Sequence, residues 1–224
     1  MTRFFQVTER METAATAAHR MLSDIRLIAV SKKQPLERIR ALAAEGQRAF
    51  GENYVDEAVA KIGELGDLGL EWHFIGPIQS NKTLSLAQHF DWVQSVDRLK
   101  IIRRLDQQRP ADLPPLNVLL QLNLDGEAQK AGCSADDLAE LAEAVDQSQK
   151  LELRGLMAIP APREDPQAQE QIFSALRQHF DELAARYSSV DTLSAGMSAD
   201  LEAAIVAGST MIRVGTDLFG PRPG

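Results

Sequence analysis

Leu27-Ile28-Ala29-Val30-Ser31-Lys32 is an apolar run that ends on a lysine, and it is the first of eight such runs along the chain. Its length and β-branched content predict a buried strand over Arg26–Ser31. Working outward, the same reading predicts strands over Arg48–Glu52, Trp72–Gly76, Trp92–Val96, Asn117–Asn123, Glu152–Ile159, Thr192–Ala195 and Met211–Gly215. They recur every roughly 20 to 40 residues, the spacing of repeated βα units.

Helical patterns fill the intervals. Leu36-Ile39-Leu42-Ala43, Val55-Val59-Ile62, Leu99-Ile102-Leu105 and Leu138-Leu141-Ala142-Val145 each form one stripe. Ser134 is a candidate N-cap for the fourth, with Asp136 and Asp137 in its first turn. A longer helix is expected over Gln167–Tyr187, and a short one opens with Ser198 before Leu201-Ala204-Ile205. Residues before the first strand read as an extra amphipathic helix. Eight strands, each followed by a helix except at the end, predict a single (β/α)8 TIM barrel spanning residues 1–224. A doubly wound open sheet is the alternative, but no G-x-G-x-x-G turn follows the first strand.

The net charge of −8 disfavours a general nucleic-acid binder, while leaving room for a local anion pocket. With Cys133 as the one cysteine, the chain has no internal disulfide and no Cys/His metal cluster, which fits a reducing cytoplasm. No apolar stretch nears the ~20 residues of a membrane span, and no signal-peptide core is visible.

In a barrel the loops after the strands gather on one face, and function sits there. Lys32, Asn53, Gln79-Ser80-Asn81, Asp97, Asn123, Met157-Ala158, Gly196-Met197-Ser198 and Gly215-Thr216 follow the eight strands. The last two groups occupy the positions where barrels often bind phosphate: glycines admit the backbone, and Ser198 and Thr216 add hydroxyl donors. Alternatively, Ser198 caps its helix and Gly215 eases a turn. Period-2 alternation places Met211, Arg213 and Gly215 on one face, so Arg213 either donates to a ligand or forms a buried salt bridge. Lys32 shares a face with Ile28 and Val30, and Lys33 points the other way. Low polarity lowers a lysine pKa and favours a nucleophilic amine, so Lys32 is a candidate Schiff-base former or else a surface charge. Lys82 and Lys130 read as loop lysines, His73 as a packed core histidine, and His19, His89 and His179 as surface. No carboxylate pair and no G-x-S-x-G elbow stands out.

Ala29-Val30-Ser31-Lys32, Phe50-Gly51-Glu52-Asn53-Tyr54, Trp72 through Lys82, Arg154-Gly155-Leu156-Met157, Leu193 through Ser198 and Gly208 through Thr216 together closely resemble the pyridoxal phosphate homeostasis protein family. The resemblance runs from about residue 25 to the C-terminus. It implies a fold-type III barrel like the N-terminal domain of alanine racemase. It implies pyridoxal 5′-phosphate (PLP) held on Lys32 as an internal aldimine, with its phosphate at Ser198, Gly215 and Thr216, Arg213 facing the pyridine nitrogen, and Asn53 and Met197 lining the cofactor. It further implies intracellular PLP homeostasis, in which the protein buffers or supplies the cofactor without an established catalytic activity. PLP-dependent apoenzymes are candidate acceptors, and a monomer is expected. A PLP-dependent racemase or decarboxylase is the alternative, and a cofactor-free Schiff-base aldolase a third reading.

Two arguments favour a holder. Arginine keeps its proton, so Arg213 would leave the pyridine nitrogen unprotonated, a poorer electron sink. A racemase needs a base on each face, and the only tyrosines are Tyr54 and Tyr187. One departure stands out: relatives often carry a second lysine two positions after the first, where this chain has Gln34, with Lys33 in between.

Overall fold

The computed structural model describes residues 1–126, 131–163 and 165–220. Eight parallel strands close a barrel in chain order. They are β1 (Arg26–Val30), β2 (Ala49–Glu52), β3 (Glu71–Phe74), β4 (Trp92–Val96), β5 (Leu116–Gln121), β6 (Leu151–Met157), β7 (Thr192–Ser194) and β8 (Met211–Val214). Each lies within the span its apolar run predicts or within a residue of it. The strands are covered on both faces, which is why they read as continuous apolar runs without strict alternation. β8 seals the barrel against β1, pairing Ile28 with Arg213 and Ala29 with Val214.

Nine α-helices are present among the described residues: α1 (Arg3–Ala17), α2 (Leu36–Ala44), α3 (Val55–Glu64), α4 (Thr83–His89), α5 (Leu99–Gln108), α6 (Leu138–Asp146), α7 (Pro166–Ala184), α8 (Leu201–Val206) and α9 (Thr216–Phe219). α5 buries Ile101, Ile102 and Leu105 completely or nearly so. Each such side chain contributes ~1.5–3 kcal/mol relative to exposure. The α3 stripe differs from expectation. Val59 and Ile62 are only partly buried, and the deep positions are Val55, Ala58 and Lys61. Lys61 can occupy one because it finds charged partners there, described below. At α6 the Ser134 and Asp137 side chains bond each other at 2.6 Å, but the helix proper starts at Leu138.

Two apolar compartments result. The larger lies between sheet and helices; the smaller fills the barrel with Ile28, Ala49, Trp92, Leu119, Met157 and Met211. In β6 the register against β5 shifts between Val118 and Leu119. Gly155 sits at this irregularity with φ +141°, and a Cβ there would lie 2.0 Å from the Thr192 carbonyl oxygen, so only glycine fits.

α1 lies outside the barrel repeat. Thr2 caps it by accepting from the Phe5 N–H, and Val7, Met11, Ala14 and Ala15 are its buried residues. It packs on α8 and α9, the two helices that follow β7 and β8. Lys130 and the tail from Pro221 to Gly224 lie outside the described residues.

Candidate functional site

Lys32 lies two residues beyond β1, whose neighbours are β2 and β8. Ile28 points into the barrel core, and Val30 and Lys32, on the same face, line a cavity of about 250 Å³ above it. β8 does the same from the other side: Met211 is in the core, and Arg213 and Gly215 line the cavity. Met197, Ser198, Thr216 and Gln34 complete the part of the wall that matters here. Six of the seven expected site residues thus share one cavity. The wall carries a lysine amine, a guanidinium and two hydroxyls, with no carboxylate among its described residues. Lys33 is exposed, as expected, and Gln34 is buried with its Oε1 accepting from Arg38.

Arg213 is 3% exposed and makes no ion pair among the described residues, which corrects the buried salt-bridge reading. Its Nη1 donates to Ser194 Oγ at 2.6 Å and its Nη2 to the Ala158 carbonyl at 2.9 Å. Burial lowers its pKa to about 10, with the Asp200 carboxylate opposing. A guanidinium remains charged there and retains donors for a ligand acceptor.

Behind Arg213 runs a chain of polar contacts through the barrel. Ser194 Oγ donates to Gln94 Oε1 at 2.7 Å, and Gln94 Nε2 lies 2.9 Å from His73 Nδ1. His73 Nε2 contacts Glu71 Oε1, and Glu71 Oε2 pairs with Arg26 at 2.7 Å. Only one proton arrangement satisfies every link: the Ser194 hydroxyl donates, the Gln94 amide nitrogen donates, and His73 carries its proton on Nε2. Burial lowers the His73 pKa despite the nearby Glu71 carboxylate, consistent with a neutral imidazole. His73 is thus a hydrogen-bonded core residue, stacked on Trp92.

The loop after β7 departs from expectation. Gly196-Met197-Ser198 does not lead straight into a helix: α8 starts at Leu201 with Asp200 at its N-cap, so Ser198 is not the cap. The Asp200 carboxylate instead accepts from the Met197 N–H at 2.7 Å. Gly196 adopts φ +97°, and a Cβ would lie 2.6 Å from the Ala204 side chain, so the loop needs glycine to lie against α8. Arg10 of α1 fastens the outside of this loop, donating to the Ser198 carbonyl at 2.8 Å and to Asp217 at 2.6 Å. Gly215 and Thr216 do open a helical turn, α9.

Asn53 stands apart. It lines a second cavity of about 310 Å³ with Tyr54, Phe74, Pro77, Gln79 and Lys82, and its buried Oδ1 has no hydrogen-bond partner. Lys82 there pairs with Asp56 at 2.8 Å. Cys133 is buried and its thiol is pushed up to about 12 by burial, so it is no nucleophile. Among the described residues no cluster of three or more His, Cys, Asp or Glu is arranged to hold a metal.

Residues 8–223 match the alanine racemase N-terminal domain family. A pyridoxal phosphate homeostasis protein from Pseudomonas aeruginosa is 56% identical over 217 residues, covering 97% of this chain and 93% of the relative. The chain belongs to the pyridoxal phosphate homeostasis protein family. A solved structure of similar architecture is PipY of Synechococcus elongatus with PLP bound: 38% identity, TM-score 0.82, covering 96% of this chain and all of that one. Alanine racemase from Corynebacterium glutamicum, at 16% identity and TM-score 0.70, shares the fold, and this chain spans 61% of it. The cavity wall is rich in hydrogen-bond donors and carries one amine, Lys32. The Lys61, Glu57, Ser194 and Gln94 side chains that support it escaped the sequence reading. The signal for Ser194 and Gln94 was polar residues on inward strand positions.

Proposed function

We propose that this chain binds PLP in the cavity between β1, β7 and β8 and serves intracellular PLP homeostasis, holding the cofactor and releasing it. The observation that carries this reading is the pairing of a cavity amine with a buried guanidinium that has no carboxylate of its own. In this reading Lys32 holds the cofactor covalently, Ser198, Gly215 and Thr216 hold its phosphate, Arg213 donates to its ring nitrogen, and Met197 lines it. Asn53, just after β2, lines the second cavity with its Oδ1 unsatisfied and has no part in this reading. PLP supplies an aldehyde carbon with which an amine condenses, forming a C=N bond and releasing water.

We read the chain as a holder, not an enzyme. The described wall offers one amine and no imidazole, phenol, thiol or carboxylate as a second proton carrier. A guanidinium at the ring nitrogen keeps that nitrogen unprotonated and weakens the ring as an electron sink. The 224 residues act in this reading as one cytoplasmic, monomeric unit that delivers to PLP-dependent apoenzymes. Exposed apolar side chains such as Phe5, Leu84, Leu113 and Val206 come from different elements. No described helix is long and apolar enough to cross a membrane.

Incubation with each amino acid in deuterated water, with PLP present, tests the holder reading. No exchange at the α-carbon is expected, and turnover at ~1 s⁻¹ would make the chain an enzyme.

A further inference from the structure

Lys61 and its ion-pair partner Glu57 between them hold the two peptide groups that join Lys32 to the chain, and the proposed chemistry makes no other use of either. Its side chain is 7% exposed. Nζ donates to the Ser31 carbonyl at 2.7 Å, to Glu52 Oε1 at 2.8 Å and to Glu57 Oε1 at 2.6 Å. Three acceptors saturate the three N–H bonds of an ammonium. With its Nζ occupied by three acceptors in a buried pocket, Lys61 is not a second amine presented to an aldehyde.

The acceptors matter because of what they flank. The Ser31 carbonyl belongs to the peptide preceding Lys32. The N–H of Lys33 belongs to the peptide following it, and it donates to the same Glu57 Oε1 at 2.6 Å. Glu57 and Lys61 sit one turn apart on α3, so one ion pair on one helix grips the chain on each side of Lys32. Lys33 has φ +59°, a left-handed conformation that a lysine adopts only where its surroundings enforce it. Ser31 Oγ adds a further link to Glu52 Oε1 at 2.6 Å. β1 thus ends in a turn whose shape is imposed by α3.

We propose that Lys61 and Glu57 are positioning residues for Lys32: they fix the turn so that its amine meets the cofactor aldehyde, and neither touches the cofactor. The proposal rests on the reading that Lys32 carries PLP.

Affinities for PLP and for 4′-deoxypyridoxine 5′-phosphate, which has phosphate and ring but no aldehyde, separate the possibilities. They are measured by calorimetry on the full chain and on Lys61→Met and Glu57→Ala. Both variants are expected to lose roughly tenfold in PLP affinity, the scale of one lost charged hydrogen bond, with affinity for the deoxy analogue unchanged. Equal losses for both ligands, or no loss for PLP, would overturn the proposal. Should Lys61→Met not fold, Glu57→Ala alone decides, because that side chain is 27% exposed and leaves no buried cavity. A wild-type chain that binds the two ligands alike and retains no PLP after borohydride reduction would overturn the underlying reading of Lys32 instead.

Discussion

Arg213 Nη1 donates to Ser194 Oγ at 2.6 Å, so the one guanidinium in the cavity is held by a neutral hydroxyl and not by a carboxylate. A buried arginine in an ion pair leaves an uncompensated charge behind when it is removed. This one leaves a hydroxyl and a carbonyl.

Arg213→Ala is therefore expected to fold and to lose less than the ~3–5 kcal/mol typical of a broken buried ion pair. Urea unfolding measures this. Its affinity for PLP should fall, since a donor to the ring nitrogen is gone. An unfolded variant would restore the salt-bridge reading.

Gln94 accepts from Ser194 and stands beside His73 Nδ1 as its donor. Gln94→Leu leaves His73 Nδ1 without a donor and the Ser194 O–H without an acceptor, although Ser194 Oγ keeps Arg213, and a buried polar group so stranded costs ~1–3 kcal/mol. The unfolding midpoint in urea should drop accordingly. Ser194→Ala removes one acceptor for Arg213 and should weaken PLP retention more than it weakens the fold.

His73 sets a pH dependence. Its folded pKa lies below the ordinary histidine value because burial disfavours the imidazolium. The unfolded chain then binds the extra proton first, so the stability associated with this group is present above about pH 6.5 and is lost as pH falls below it, by at most ~1.4 kcal/mol per pH unit. Glu71, held below the carboxylate range by His73 and Arg26 although burial alone would raise it, loses its share only at lower pH, beneath its unfolded value. Glu52 has the opposite sign, since burial raises its pKa. Urea unfolding between pH 7.5 and 5.5 should show a fall in stability that is smaller in His73→Gln. Equal slopes would contradict the neutral imidazole.

Cys133 should be inert in the folded chain. A thiol near 12 is ~10³-fold less ionised at pH 8 than an ordinary one, so labelling by a thiol reagent should slow by about that factor relative to the urea-unfolded protein. Rapid labelling of the native chain would show that Cys133 is not held buried against Gln121.

The barrel was legible because its strands are doubly covered and therefore apolar throughout. Lys32 and Arg213 were legible for a related reason: Arg213 interrupts such a run on an inward position, and Lys32 stands at the end of one. α4 was not, since Thr83–His89 is short and carries only Leu86 and Ala87 as deep apolar residues. Lys61 was hidden for a different reason. A lysine on a helix stripe reads as solvated, and its partners Ser31 and Glu52 lie 30 and 9 residues away, so only the fold assembles them. The loop after β7 misled because Ser198 has the chemistry of an N-cap, while Asp200 takes the position. Asn53 was placed by resemblance with the other cofactor residues, and it lines a separate cavity.

The visible spectrum of the purified chain with PLP, before and after Lys32→Ala, tests the central claim most directly. The account predicts a band at about 420 nm in the wild type, fixed to Lys32 by borohydride and absent from the variant. A variant that retained the band at full stoichiometry would show that Lys32 does not hold the cofactor.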